Sequence, residues 1–387
     1  MLSTRPAMRP LKASIFQLFL TYRCLYSTHN TSSPSDAASK AAADFLARFQ
    51  SQGPQLRTQL LDANQLHLLS LTLNRPKRQL INYPGASTTA ATVTSSSPSL
   101  PVPSNGSPVP PGHHLVYFTP GFLEEELGAD GTDTSYNPDV PFTRRMWAGG
   151  EVSWPRGADG KPNLLRVGQE VTESTKVLSA EPKVVRKTGE AMIVVGVEKM
   201  FSNEYGVAVI DRRNWLFREA LPYPPKPYEK KAETKPPVSK QNKTPAPSNQ
   251  AVGVYKRYFN QTAVTLFRFS ALTFNTHKIH YSVPWSQEVE GHRNIVVHGP
   301  LNLVSMLDFW RDIQHEKANK NSSSSSKNNQ DHPDISLIVP QRISYRATNP
   351  LYAEEDYEIV LEEARESSSV NIFNHDGVVS MKAEIEA

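Results

Sequence analysis

The stretch that decides the fold runs from residue 295 to residue 313, Ile295-Val296-Val297-His298-Gly299-Pro300-Leu301-Asn302-Leu303-Val304-Ser305-Met306-Leu307-Asp308-Phe309-Trp310-Arg311-Asp312-Ile313. Pro300 suits the first turn of a helix, since its missing N–H has no partner to lose there. From Leu301 onward, Leu301, Val304, Leu307, Phe309, Trp310 and Ile313 face more than one side, so the helix is expected to be buried all round. A helix without a wet face needs a sheet wrapped about it. Strand-like runs duly follow at 335–339 (ISLIV), 343–348 (ISYRAT), 356–364 (DYEIVLEEA), 369–373 (SVNIF) and 378–386 (VVSMKAEIE). The last two are joined across Asn374-His375-Asp376-Gly377, a strong hairpin signal.

Upstream, a similar order recurs. Strands are expected at 115–120 (LVYFTP), 144–154 (RRMWAGGEVSW), 167–185, 190–201 and 206–220, many β-branched and separated by turn residues. Before them, residues 38–50 and 55–74 read as short amphipathic helices, the second carrying Leu56, Leu60, Leu61, Leu68 and Leu71 at helical spacing. The chain thus reads as two α+β units of like order, which hints at internal duplication.

Composition places the boundaries. Of the 31 prolines, seven fall between Pro84 and Pro111 and eight between Pro222 and Pro247. Residues 83–112 are mostly Ser, Thr, Pro and Ala, too polar to pack a core, and are expected to form an insertion without fixed structure. Residues 222–250 alternate Lys and Pro, the composition of an extended solvated linker. A second low-complexity insertion is expected at 318–333. The expected organisation is a targeting segment at 1–35, an N-terminal helical segment at 36–82, a first unit at 113–221 and a second at 251–387.

The net charge of +4 is local. Residues 1–35 hold Arg5, Arg9, Lys12 and Arg23 with no acid, and setting those four aside leaves 38 basic and 38 acidic residues. No basic patch remains for nucleic acid to bind. The first 35 residues have the composition of a mitochondrial targeting peptide, their charges scattered among apolar and hydroxyl residues, with a secretory signal as the rival reading. The apolar stretch Ile15 to Leu20 is far short of a membrane span, so no membrane insertion is expected. Cys24 is the single cysteine and leaves with that segment. The mature chain then has no thiol for a disulfide, a zinc site or a nucleophile.

Chemistry must come from the stretch 267–281, which places Asn275, His277 and His280 within six positions, and from Val297-His298-Gly299-Pro300. His280 is the natural general acid or base. Asn275 suits positioning of a water or a carbonyl. Gly299 at the helix N-terminus offers an unpaired N–H and a favourable dipole to a thioester oxygen, or serves only a tight turn. Ser270, His277 and His298, which flank them, are the candidate substrate contacts. No third ligand stands at useful spacing from His277 and His280, so no metal and no cofactor are expected.

Together, residues 271–300 (ALTFNTHKIHYSVPWSQEVEGHRNIVVHGP) resemble the active-site motif of the MaoC-like (R)-specific enoyl hydratases. The likeness is strongest to the fungal mitochondrial hydroxyacyl-thioester dehydratases type 2 and the mesaconyl-C4-CoA hydratases. The general motif runs Asp-x-Asn-Pro-x-His, then His-Gly at the start of the central helix. On this chain Asn275 takes the Asp position, His277 the Asn position, Lys278 the Pro position, His280 that of the catalytic histidine and Gly299 that of the oxyanion donor. Residues 144–154 resemble the non-catalytic half of the fungal enzymes.

The resemblance implies a double hot-dog fold, two curved antiparallel sheets each about a helix, with the site in the C-terminal copy. It implies reversible syn dehydration of (3R)-hydroxyacyl thioesters to trans-2-enoyl thioesters, on acyl carrier protein in mitochondrial fatty acid synthesis. The expected partners are acyl carrier protein or CoA thioesters, the expected location is the mitochondrial matrix, and the expected state is a monomer or homodimer. A hydratase for a small CoA ester and a non-catalytic acyl- or partner-binding protein are the alternatives. Asn275 cannot carry a proton, so either His280 does most of the acid/base work or another group helps. Arg144, Arg145 and Trp147 read as internal ion pairs and packing, or as contacts for a phosphopantetheine arm or a carrier protein.

Overall fold

The computed structural model describes residues 34–74, 102–186, 188–221, 253–325 and 335–387. Most of the segment expected to be a targeting peptide, the expected linker and most of the first expected Ser/Pro insertion lie outside these residues.

The first helix, α1 (Pro34–Gln52), starts on a proline with Asp36 in its first turn. Its Ala38, Ala41, Ala42, Phe45 and Phe49 recur at helical spacing and are all buried. Gly53 at φ 67° and Pro54 end it. Strand β1 (Gln55–Leu60) and helix α2 (Ala63–Thr72) follow, the Asp62 side chain accepting the Gln65 N–H at 2.9 Å as the cap of α2. The single helix expected over 55–74 is therefore a strand and a helix, with Leu56 and Leu60 exposed on the sheet edge.

The first half continues with β2 (Arg144–Ser153), β3 (Glu170–Val184), β4 (Ala191–Asn203) and β5 (Gly206–Arg218). The second half comprises β6 (Gly253–Asn260), α3 (Ala263–Thr273), α4 (Gly299–Ser325), β7 (Arg342–Ala347), β8 (Asp356–Glu363), β9 (Ser367–Phe373) and β10 (Val379–Glu386). The ten strands among the described residues form one sheet in the order β1-β3-β4-β5-β2-β7-β10-β9-β8-β6. Read from each edge inward, the two halves follow the same permutation, and β2 and β7 join them antiparallel from Gly149 opposite Arg346 to Ser153 opposite Arg342. This is the double hot-dog fold that the motif implied.

The central helix is α4. Every residue from Leu301 to Ile313 is buried, and most of the apolar ones share a core with Ile343, Ile359, Leu361, Ile372 and Ile385 of the sheet. Its other side is closed by the first half. Gly112, at φ 82°, lies so close that a Cβ there would stand 2.9 Å from Leu307 Cδ1, and His113 Nε2 is 3.2 Å from Asp308 Oδ1. The first half has no long helix between β1 and β2 among the described residues. In its place α1 lies on the sheet against Val177, Ile193, Val195 and Phe217, leaving the rest of that concave face open.

Four further expectations are corrected. Residues 102–112 are ordered and mostly buried, because Val109 and the prolines beside it pack at the core. Residues 113–116 form a 3-10 turn rather than a strand, entered through the left-handed Gly112. Residues 335–337 likewise turn, ahead of Pro340, which has no N–H for a ladder. Helix α4 runs on to Ser325 inside the insertion expected from 318. Strand β6 was not expected; its alternating half-buried and exposed residues make it the second sheet edge. Among the described residues no helix is long and apolar enough to cross a membrane.

Candidate active site

Helix α3 delivers the first motif. Phe274 ends it at φ 49°, and the Asn275 N–H returns to the Ser270 carbonyl at 2.9 Å. The Asn275 side-chain oxygen then accepts the His277 N–H at 3.0 Å, a turn this short amide makes locally. That bond leaves the Asn275 NH₂ group for the cavity, which Asn275 lines. A 3-10 turn over Lys278–His280 completes the loop.

His280 is buried, with Nδ1 2.7 Å from the Val296 carbonyl oxygen. A carbonyl only accepts, so Nδ1 carries the proton and the Nε2 lone pair is left for chemistry. The second motif holds this arrangement, since the Val296 N–H donates to the Ile279 carbonyl at 2.8 Å. Gly299 opens α4, and the His298 carbonyl accepts the Asn302 N–H at 3.2 Å. The Gly299 N–H is among those a helix leaves unpaired at its positive end. A Cβ at Gly299 would stand 3.2 Å from Trp147 Cε3, so glycine lets the first half's indole close over the helix start.

Asn275, His277, His280 and Gly299 all line one cavity of about 860 Å³. It continues into the first half as far as Phe201 and Trp215, the concave face that no long helix fills. Its far wall includes Lys199, paired with Glu173 at 3.0 Å.

Ser270 and His298 are placed differently from expectation. His298 is 0% exposed and stands behind His280, their rings stacked at 3.6 Å between centroids, with His298 Nε2 2.9 Å from Ser270 Oγ. They buttress the histidine rather than face the cavity. Arg144 and Arg145 serve internal contacts, Arg145 pairing with Asp133 beneath Trp215 and Arg144 lying 3.6 Å from Glu290. Trp147 is a cavity wall, anchored by Nε1–H to the Tyr345 hydroxyl at 3.1 Å. Among the described residues no group of three His, Cys, Asp or Glu side chains stands close enough to hold a metal.

Burial, then the charge of Arg145, pushes His277 down to about 3. Burial, then His277, pushes His280 down to about 3, and burial with both neighbours holds His298 well below its usual value. The three rings are therefore neutral at pH 7. An unfolded chain takes up protons near pH 6.5 while the folded one resists until about pH 3, so stability is full above 6.5 and lost as pH falls through that window. We expect Tm to drop by more than about 5 °C between pH 7 and pH 5, measured by circular dichroism. An unchanged Tm would mean the rings are not buried neutral.

Sequence comparison agrees with this geometry. The chain is 30% identical to the mesaconyl-C(4)-CoA hydratase of Chloroflexus aurantiacus, over 54% of its own length and 66% of the relative's. It is 24% identical to the mitochondrial hydroxyacyl-thioester dehydratase type 2 of Schizosaccharomyces pombe, over 52% and 67%. The alignments thus span about two thirds of these relatives. In fold it matches a MaoC-like dehydratase from Phytophthora capsici, with a TM-score of 0.54 over 89% of this chain and 98% of that one, at 13% identity. The sequence profile of the hydroxyacyl-thioester dehydratases type 2 matches residues 112–353, taking in the joining strands and the histidines that line the cavity, and the chain belongs to that family.

Proposed function

We propose that this chain catalyses the reversible syn dehydration of (3R)-hydroxyacyl thioesters to trans-2-enoyl thioesters. The observation that carries it is the neutral His280, its tautomer set by Val296 at 2.7 Å, beside the Gly299 helix start in a cavity long enough for an acyl chain. The thioester oxygen sits on the Gly299 N–H, which stabilises the enolate as Nε2 of His280 takes the Cα proton. The imidazolium returns that proton to the departing 3-hydroxyl on the same face, and water leaves. One base serving both atoms accounts for syn geometry without a carboxylate in the motif, and the Asn275 NH₂ group orients the hydroxyl.

The substrate we assign is an acyl group on acyl carrier protein in mitochondrial fatty acid synthesis; the relatives' names support a hydroxyacyl thioester and, with the composition of residues 1–35, the mitochondrion. The pairing of β2 with β7 within one chain supports a monomer over a homodimer. The mesaconyl-CoA-type reading is favoured by the 30% identical relative and by the charged Lys199–Glu173 wall, which suits a short polar acyl group. We expect hydration of trans-2-octenoyl thioesters, followed by loss of enoyl absorbance, to be faster on carrier protein than on CoA and faster than that of mesaconyl-CoA. The reverse order would favour the second reading, and no turnover on any thioester would leave a binding role.

A further inference from the structure

The carboxylate missing from position 275 has a counterpart in the other half of the molecule. Residues 128–132, from the first half, press against the motif loop at four points. The Lys278 N–H donates to the Asp130 carbonyl at 2.8 Å, Lys278 Nζ to the Ala129 carbonyl at 2.7 Å and Thr276 Oγ1 to the Gly131 carbonyl at 2.5 Å. The fourth point is polar, Asp130 Oδ2 facing the neutral His277 ring with 3.8 Å to Nε2. The other carboxylate oxygen of Asp130 is committed, accepting the Thr132 N–H at 3.0 Å and hydroxyl at 2.7 Å, which fixes the side chain in this direction.

His277 Nε2 is buried and has no hydrogen-bond partner among the described residues, an unusual state for a ring nitrogen in an interior. Its ring lines the cavity and meets His280 edge to face at 5.5 Å. We propose, resting on the dehydratase reading above, that Asp130 is a positioning residue for His277. The carboxylate engages Nε2–H when the site closes on substrate, so that Nδ1 of His277 accepts the O–H of the 3-hydroxyl. In the hydration direction it accepts one O–H of the attacking water. The reacting oxygen then has three fixed partners: it accepts from Asn275, exchanges its mobile proton with His280 and donates its other proton to His277. No further acid, base or metal is required.

The test is a kinetic cycle of Asp130→Asn, His277→Asn and the double variant on trans-2-enoyl thioester, with melting curves for each. Asp130→Asn keeps the shape of the side chain and leaves the backbone bond to Lys278 untouched. We expect kcat to fall about 10- to 100-fold with KM changed less than about threefold, as for other carboxylates that orient an imidazole. In the His277→Asn background, Asp130→Asn should cost less than about twofold more, because its effect runs through that ring. In ¹⁵N-labelled protein bound to a non-reacting thioether analogue, His277 should be the Nε2–H tautomer in the wild type and lose that state in Asp130→Asn. Full activity in Asp130→Asn, or an equal loss in both backgrounds, overturns the inference while an active wild type leaves the dehydratase reading standing. A wild type without turnover overturns that reading and this one with it.

Discussion

Replacing His280 by glutamine lowers kcat for enoyl-thioester hydration by about 10² to 10⁴-fold, the usual contribution of a positioned proton-transfer group. Glutamine can still donate to the Val296 carbonyl that His280 Nδ1 now meets at 2.7 Å, so the loop keeps its anchor. What it lacks is a lone pair able to take the Cα proton and return it. The Gly299 N–H, the cavity and the thioester contacts are untouched, so KM should move far less than kcat. Residual turnover is expected, since oxyanion stabilisation and positioning survive. In the wild type, kcat/KM should stay flat from about pH 8 to near pH 5, because free His280 takes no proton until pH falls toward about 3. An acid limb at the ordinary imidazole value would show that His280 is not the buried base. A His280→Gln enzyme with a normal melting curve and undiminished kcat would remove it from the mechanism.

Much of this arrangement is local in the sequence and was legible there. A helix apolar on every side requires a wrapping sheet, and Leu301 to Ile313 proved buried throughout, while period-two runs marked most strands. Asn275, His277, His280 and Gly299 lie within 25 positions of one another, and the α3 turn and the α4 start bring them to one cavity. The readings that failed did so where two patterns fit the same residues. Leu56 and Leu60 lie four apart, as on a helix face, yet also an even number apart, as on one face of a strand, and Gly53-Pro54 decided for the strand. The Ser/Pro tail at 102–112 looked unable to pack, but its Val109 needed only to join a core that other residues had already built. Chemical type alone put Ser270 and His298 in the substrate's path, whereas their depth behind His280 is a property of the packed fold. Asp130 and Trp147 carry no spacing signal, being about 150 residues from their partners His277 and Gly299 in the chain. The joining of β2 to β7, with the contacts packed around it, brings the two halves together.

That joining makes the second large effect a mutation far from the motif in sequence. Gly131→Ala should abolish most activity, by about 10²-fold or more, and destabilise the protein by about 1 to 3 kcal/mol. Gly131 sits at φ 81°, in the left-handed region, and a Cβ there would overlap the Thr276 carbonyl oxygen, a backbone atom that cannot rotate aside. The loop must therefore back away, and Thr276, Lys278 and His277 lose their contacts to residues 129–131 together. Since Asn275 Oδ1 is tied to the His277 N–H, the displacement passes to the amide that orients the hydroxyl. Gly160→Ala is the control: it has φ 75° and nothing within 4 Å of its Cβ position, so it carries the same backbone strain without the collision. We expect the two variants to differ modestly in Tm but by two orders of magnitude in kcat. Equal kcat values would mean that the site holds its geometry without the first half's loop, and the second half would then be expected to act with the first serving only as its wall.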